Sequence, residues 1–101
     1  MERMSTPEQL IKKDIKSYLT RIGAFWSMVQ GGPYSKPGDP DIIACINGRY
    51  VGIEVKTSTG RLSELQKIRG EEIEKAGGVW IVTTSKTDLD NRLKCNGVIP
   101  V

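Results

Sequence analysis

The chain of 101 residues contains no histidine. That absence excludes Ser-His-Asp and Cys-His nucleophilic sites, imidazole general bases and His-ligated zinc. Any catalysis must rest on carboxylates, lysines, amides or a cofactor. Cysteine is scarce as well. Cys45 and Cys95 make no metal-binding pattern. They read as two reduced thiols in a cytosolic chain rather than as a disulfide. Long apolar runs are missing: the longest, Ile42 to Ile46, is five residues, against the roughly 20 that a membrane-spanning helix needs. Residues Met1 to Ser5 lack the apolar stretch of a signal peptide, so a cytoplasmic location is expected. A strong excess of one charge is also missing. The balance of 15 Lys+Arg to 12 Asp+Glu gives a net charge of +3, which permits a nucleic-acid partner without demanding one.

What is present suits one soluble domain, residues 1–101, with a modest core: 38% of the residues are hydrophobic and 27% charged. The pattern alternates between helix and strand. Thr6 as N-cap, Pro7 at the first helical position and Gly23 as a stop predict a helix over 6–22. Its Ile11, Ile15, Tyr18, Leu19 and Ile22 fall in one stripe about 100° wide, which should face the core. Strands are expected over 24–29, 41–46, 49–56 and 79–84, a Ser63-capped helix over 64–76, and a short helix over 86–94. A last strand is expected over 98–101. Trp26 and Trp80 lie in strands and read as core. Residues 30–40, rich in Gly and Pro, form a loop. The order αβββαβ, with a mixed sheet flanked by helices, points to an α/β domain.

The sharpest local signal is Asn47-Gly48 between two strand-like runs, the favoured pair for a two-residue type I′ hairpin. It sets a register. Ile46 faces Arg49, Cys45 faces Tyr50, and stepping back puts Asp41 opposite Glu54, with Cβ atoms roughly 4.5–5.5 Å apart. Lys56, two residues on, shares that face. Two carboxylates so placed repel each other and need compensation. Lys56 alone could supply it, or a hard divalent cation such as Mg²⁺ held by carboxylates, waters and a phosphate. Glu8 lies on the core-facing stripe of the first helix and is a candidate third acid. It can equally be a first-turn acid favoured by the helix dipole. Gln66 can complete a capping box with Ser63 or hold a metal-bound water. These parts suit metal-assisted phosphodiester hydrolysis.

At Gly38-Asp39-Pro40-Asp41, followed thirteen residues later by Glu54-Val55-Lys56, the sequence resembles the PD-(D/E)XK nuclease superfamily, and within it the VRR-NUC branch. The segment Gly60-Arg61-Leu62-Ser63-Glu64-Leu65-Gln66 stands where that branch carries G-x-L-S-x-x-Q. The resemblance runs roughly from residue 8 to 84 and implies a restriction-endonuclease-like αβββαβ core. It implies that Glu8, Asp41, Glu54 and the Val55 carbonyl hold Mg²⁺, with Mn²⁺ able to substitute. Asp41, Glu54, Lys56 and Gln66 would be catalytic. It further implies a homodimer that cuts DNA, branched DNA such as four-way junctions or flaps above all, in a bacterial or phage-infected cell. Lys36, Arg61 and Lys67 are candidates for phosphate contacts, and Tyr34 for stacking on a base. The rival reading is a non-catalytic nucleic-acid-binding or assembly module on the same fold.

Overall fold

The structure, a computed structural model, describes residues 6–29, 33 and 35–101. It contains helix α1 (Pro7–Arg21), strands β1 (Phe25–Met28), β2 (Ile42–Ile46) and β3 (Arg49–Val55), helix α2 (Glu64–Lys75), strand β4 (Val79–Thr83) and helix α3 (Lys86–Cys95). The helices begin where the sequence provides caps. Thr6 and Ser63 each accept the N–H of the residue three positions on, Gln9 or Gln66, and that residue's side chain accepts the cap's own N–H. Ser85 accepts the Asp88 N–H at the start of α3.

The strands form one sheet in the order β1-β2-β3-β4. The first three are antiparallel and β4 runs parallel to β3. Asn47 (φ 50°) and Gly48 (φ 78°) occupy the left-handed region that a type I′ turn requires. Ile46 faces Arg49 and Ile42 faces Ile53, the register expected from that turn. The fold is therefore the α/β domain with a mixed sheet that the order of elements predicts, and it fits the restriction-endonuclease-like core that the resemblance implies.

Alternation along the strands separates two faces. Ile42, Ala44, Ile46, Val51, Ile53, Val55, Val79 and Ile81 are buried with Ile15, Tyr18 and Leu19 of α1 and with Leu89 and Leu93 of α3. The first and third helices thus cover one face. The second helix lies on the other, where its one buried residue, Gly70, meets Trp80. A Cβ on Gly70 would come within 2.1 Å of the Trp80 ring, so the indole fills the place of a side chain. The interior strand β3 is buried from Val51 to Val55. That includes Glu54, on the face that α2 covers.

Three expectations need correction. Ile22 is 37% exposed because it caps α1 instead of extending its stripe. Trp26 and Trp80 are only partly buried: Trp26 packs against the core cluster from its edge, and Trp80 lies under α2 on the opposite face. Residues 98–101 form no strand. Val98 donates its N–H to Leu93 O to close α3, and its carbonyl accepts from the Asn47 side chain at 2.9 Å, so neither group seeks a strand partner. Cys45 and Cys95 are exposed, free thiols. No helix among the described residues is long and apolar enough to cross a membrane.

Candidate active site

The site forms at the open end of the β2–β3 hairpin. Asp41 precedes β2 by one residue, and its Oδ2 accepts the Val55 N–H at 2.7 Å. A side chain thus extends the ladder one step past the strand. Asp41 is 1% exposed and Glu54 is fully buried. Two carboxylates buried together cannot both keep a charge without compensation. Burial first, and then the neighbouring Asp41 carboxylate, push the Glu54 carboxyl up to about 8, against the pull of Lys56 and Lys12.

Glu54 Oε1 accepts Gln66 Nε2 at 3.0 Å. The other oxygen, Oε2, is buried with no hydrogen-bond partner among the described residues. An unpartnered carboxylate oxygen beside a second buried carboxylate is a poor structural arrangement and a suitable donor set for a hard cation. The residues present therefore fit Mg²⁺ or Mn²⁺.

Gln66 belongs to both readings given above. Its Oε1 accepts the Ser63 N–H at 2.8 Å while its Nε2 reaches Glu54. Lys56 is partly buried, its charge acts on Glu54, and its ammonium has neither ion pair nor hydrogen bond among the described residues. Val55 gives its N–H to Asp41 and is buried.

Glu8 does not join the pair. Among the described residues, no three Cys, Asp or Glu side chains come together closely enough to hold a metal. The residue one helical turn on, Lys12, reaches the site instead, with Nζ 3.5 Å from Asp41 Oδ1 and the side chain 16% exposed. Sequence reasoning missed Lys12. Its signal was available: Lys12 is one position from Ile11 and three from Ile15, at the edge of the core-facing stripe, where a lysine can lie against the sheet end.

The turn leading into Asp41 is fixed to α2. Pro37 and Gly38 (φ 87°) occupy the central positions of a turn in which Asp39 N–H donates to Lys36 O. Gly38 is required twice over, since a Cβ there would also lie 2.6 Å from Leu65 O. Asp39 Oδ2 accepts the Lys36 N–H at 2.8 Å, and Oδ1 accepts Arg69 Nε and Nη2 at 3.0 and 2.8 Å. Burial opposes the ionised form of Asp39, but these partners outweigh it and hold its carboxyl below the usual range. A polar cleft of about 470 Å³ lies between this turn and the start of α2, lined by Lys36, Pro37, Gly38, Asp39, Ser63 and Gln66. Gln66 is at once part of its wall and the partner of Glu54.

The other candidates are more scattered. Lys36 is exposed at the cleft and Arg61 is exposed in the loop before α2. Lys67 is paired with Glu64 at 3.3 Å on the outer face of α2. Tyr34 lies outside the described residues.

No family model and no curated protein matches the sequence. Two solved structures do match its fold. One, described as "VRR_NUC domain", superposes with a TM-score of 0.75 at 22% identity, over 89% of this chain and 97% of its own. The other, described as "VRR_NUC domain protein", has a TM-score of 0.70 at 18% identity, over 92% of this chain and 89% of its own. With a hairpin register that sets Asp41 against Glu54, and with both chains covered almost end to end, this protein has the fold of a VRR-NUC domain.

Proposed function

We propose that the protein is a Mg²⁺- or Mn²⁺-dependent DNA endonuclease. The observation that carries this reading is the buried Asp41–Glu54 pair, with Glu54 Oε2 unpartnered among the described residues and the charge of Lys56 acting on Glu54. Such a pair is costly in a protein that does not use it. The likeness to the two VRR_NUC structures supports the same reading.

Asp41, Glu54 and the Val55 carbonyl hold the cation. When bound, it lowers the pKa of a water and offsets charge on the scissile phosphate. Lys56 balances charge on that phosphate and orients the attacking water. Gln66 fixes the Glu54 carboxylate through Nε2 and presents its amide to the cleft. The strand holds Asp41 and Glu54 in place before substrate arrives, since Oδ2 of Asp41 is already tied to the backbone. Lys36, exposed at the cleft, and Arg61, exposed in the loop before α2, contact neighbouring phosphates.

A small chain offers little surface to grip two duplexes, so we assign a homodimer acting on branched DNA. The exposed Phe25 of edge strand β1, at 77%, is in keeping with a second copy. Light scattering should give twice the 11.2 kDa chain mass. The activity test is incubation with four-way-junction, flap and linear DNA, with and without Mg²⁺. Cleavage only with the metal, strongest on branched DNA and absent in Asp41→Ala, is expected. No cleavage of any of the three with Mg²⁺ or Mn²⁺ would favour the non-catalytic module instead.

A further inference from the structure

Asp41 has two carboxylate oxygens with different duties. Oδ2 is committed to the Val55 N–H at 2.7 Å. Oδ1 is therefore the oxygen left for a cation, and Lys12 Nζ faces it at 3.5 Å. That separation exceeds the roughly 2.7–2.9 Å of a tight charge-assisted hydrogen bond. The ammonium is held mainly by the field of the acid pair, and such a contact exchanges readily. Asp41 is its only ion-pair partner among the described residues, and its side chain is 16% exposed. Lysine is strongly hydrated and rarely buried so far unless an anion draws it in.

The charges make the same point. Without metal, the acid pair of Asp41 and Glu54 lies in the field of the ammonium groups of Lys12 and Lys56. A divalent cation added there leaves an excess of positive charge in a buried place even after both carboxyls are ionised, since two carboxylates then face one dication and two ammonium groups. Either the cation binds weakly or an ammonium leaves. Lys12 is the ammonium that faces Asp41 Oδ1, the oxygen left for the cation, whereas Lys56 makes no ion pair with either acid among the described residues, so Lys12 is the one that must give way.

Building on the metal-dependent reading above, we propose that Lys12 stands in for the divalent cation in the free protein, is displaced from Asp41 when the cation binds, and then pairs with a phosphate of the nucleic acid. Lys12 thereby neutralises the acid pair between turnovers, lowers metal affinity until substrate is present, and adds a phosphate contact once it is. It is a positioning and substrate-binding residue, not part of the metal's ligand set.

Lysine acylation of the wild-type protein, read by mass spectrometry, tests this in three states: with chelator, with Mn²⁺, and with Mn²⁺ plus a phosphorothioate DNA duplex. Lys12 should be protected in the first, severalfold more reactive in the second and protected again in the third, while the exposed Lys13 should not respond to Mn²⁺ alone. Calorimetric titration gives the second readout. Lys12→Met, with Lys12→Gln in reserve should Met fold poorly, should bind Mn²⁺ at least about tenfold more tightly than wild type, given the size of the charge removed. Lys13→Met, with the same change in net charge, should stay within about twofold, as expected for an exposed and screened charge. Mn²⁺ uptake with unchanged Lys12 reactivity, or with unchanged affinity in both Lys12 variants, overturns the stand-in role. Continued reactivity in the presence of DNA overturns the phosphate contact. No Mn²⁺ uptake by wild type overturns the metal reading itself, and the stand-in role with it.

Discussion

The Gln66 side chain connects the first turn of α2 to the acid pair: Oε1 accepts the Ser63 N–H at 2.8 Å and Nε2 donates to Glu54 Oε1 at 3.0 Å. One amide thus sets both where the helix begins and how the Glu54 carboxylate is turned. Gln66→Ala removes a cap and leaves a buried carboxylate oxygen unpaired, and should cost about 1–3 kcal/mol in urea denaturation. Gln66→Glu keeps the acceptor for Ser63 but sets a carboxylate against Glu54. Its loss of Tm should grow as pH rises, and more steeply than that of Gln66→Ala, which removes only a donor to the ionising Glu54.

The raised carboxyl of Glu54 has a thermodynamic consequence. It titrates near 8 in the fold and near 4.5 as an ordinary glutamate. The folded state therefore binds more protons between those values, and the stability of the metal-free protein must fall as pH rises through that window. Asp39 and Asp88 are held low and act in the opposite direction, but only below the ordinary carboxylate range near 3.8. No histidine titrates in between to mask the effect. Melting in chelator at pH 5.5, 7 and 8.5 should show a progressive decline. Glu54→Gln should flatten the curve and be the more stable protein at pH 8.5 while losing cleavage. Saturating Mn²⁺ should restore the wild type at high pH. A wild-type Tm that rises from pH 5.5 to 8.5 would contradict the buried acid pair.

Lys56 makes no ion pair among the described residues, so its removal should spare the fold. Lys56→Met should keep its circular dichroism spectrum and still bind Mn²⁺, yet cleave about 10²–10⁴-fold more slowly, the range for loss of a proton-positioning group. Because Lys56 pulls the Glu54 carboxyl down, its loss should also move the pH dependence of metal binding upward.

Gly70 faces the Trp80 ring where a Cβ would lie 2.1 Å away. Gly70→Ala must displace either the indole or the helix, and should cost about 1–3 kcal/mol or more, as overpacking does. Because α2 carries Gln66, the shift should weaken cleavage as well. Tryptophan emission of the folded protein should change with it.

Much of this was legible in the sequence, for local reasons. Asn47-Gly48 fixes a turn type, the turn fixes the hairpin register, and the register sets Asp41 against Glu54 without reference to the rest of the chain. Ser63 and Gln66 declare the start of α2 by their spacing alone. What was not legible depends on how elements pack. The distance between α1 and the sheet end decides whether Glu8 or Lys12 reaches Asp41, and no periodicity carries that distance. Likewise, Arg69 holds Asp39 across thirty residues through the placement of α2 on the sheet. Residues 98–101 misled for a related reason: their apolar character serves packing behind the hairpin, where Val98 is buried and Asn47 takes its carbonyl, rather than pairing in the sheet.

A crystal of the protein soaked in Mn²⁺ and measured at the manganese absorption edge shows whether Asp41 and Glu54 hold the cation. One strong anomalous peak is expected within ligand distance of Asp41 Oδ1 and Glu54 Oε2. Full soaking without a peak there, or with manganese bound only at surface carboxylates, would contradict it.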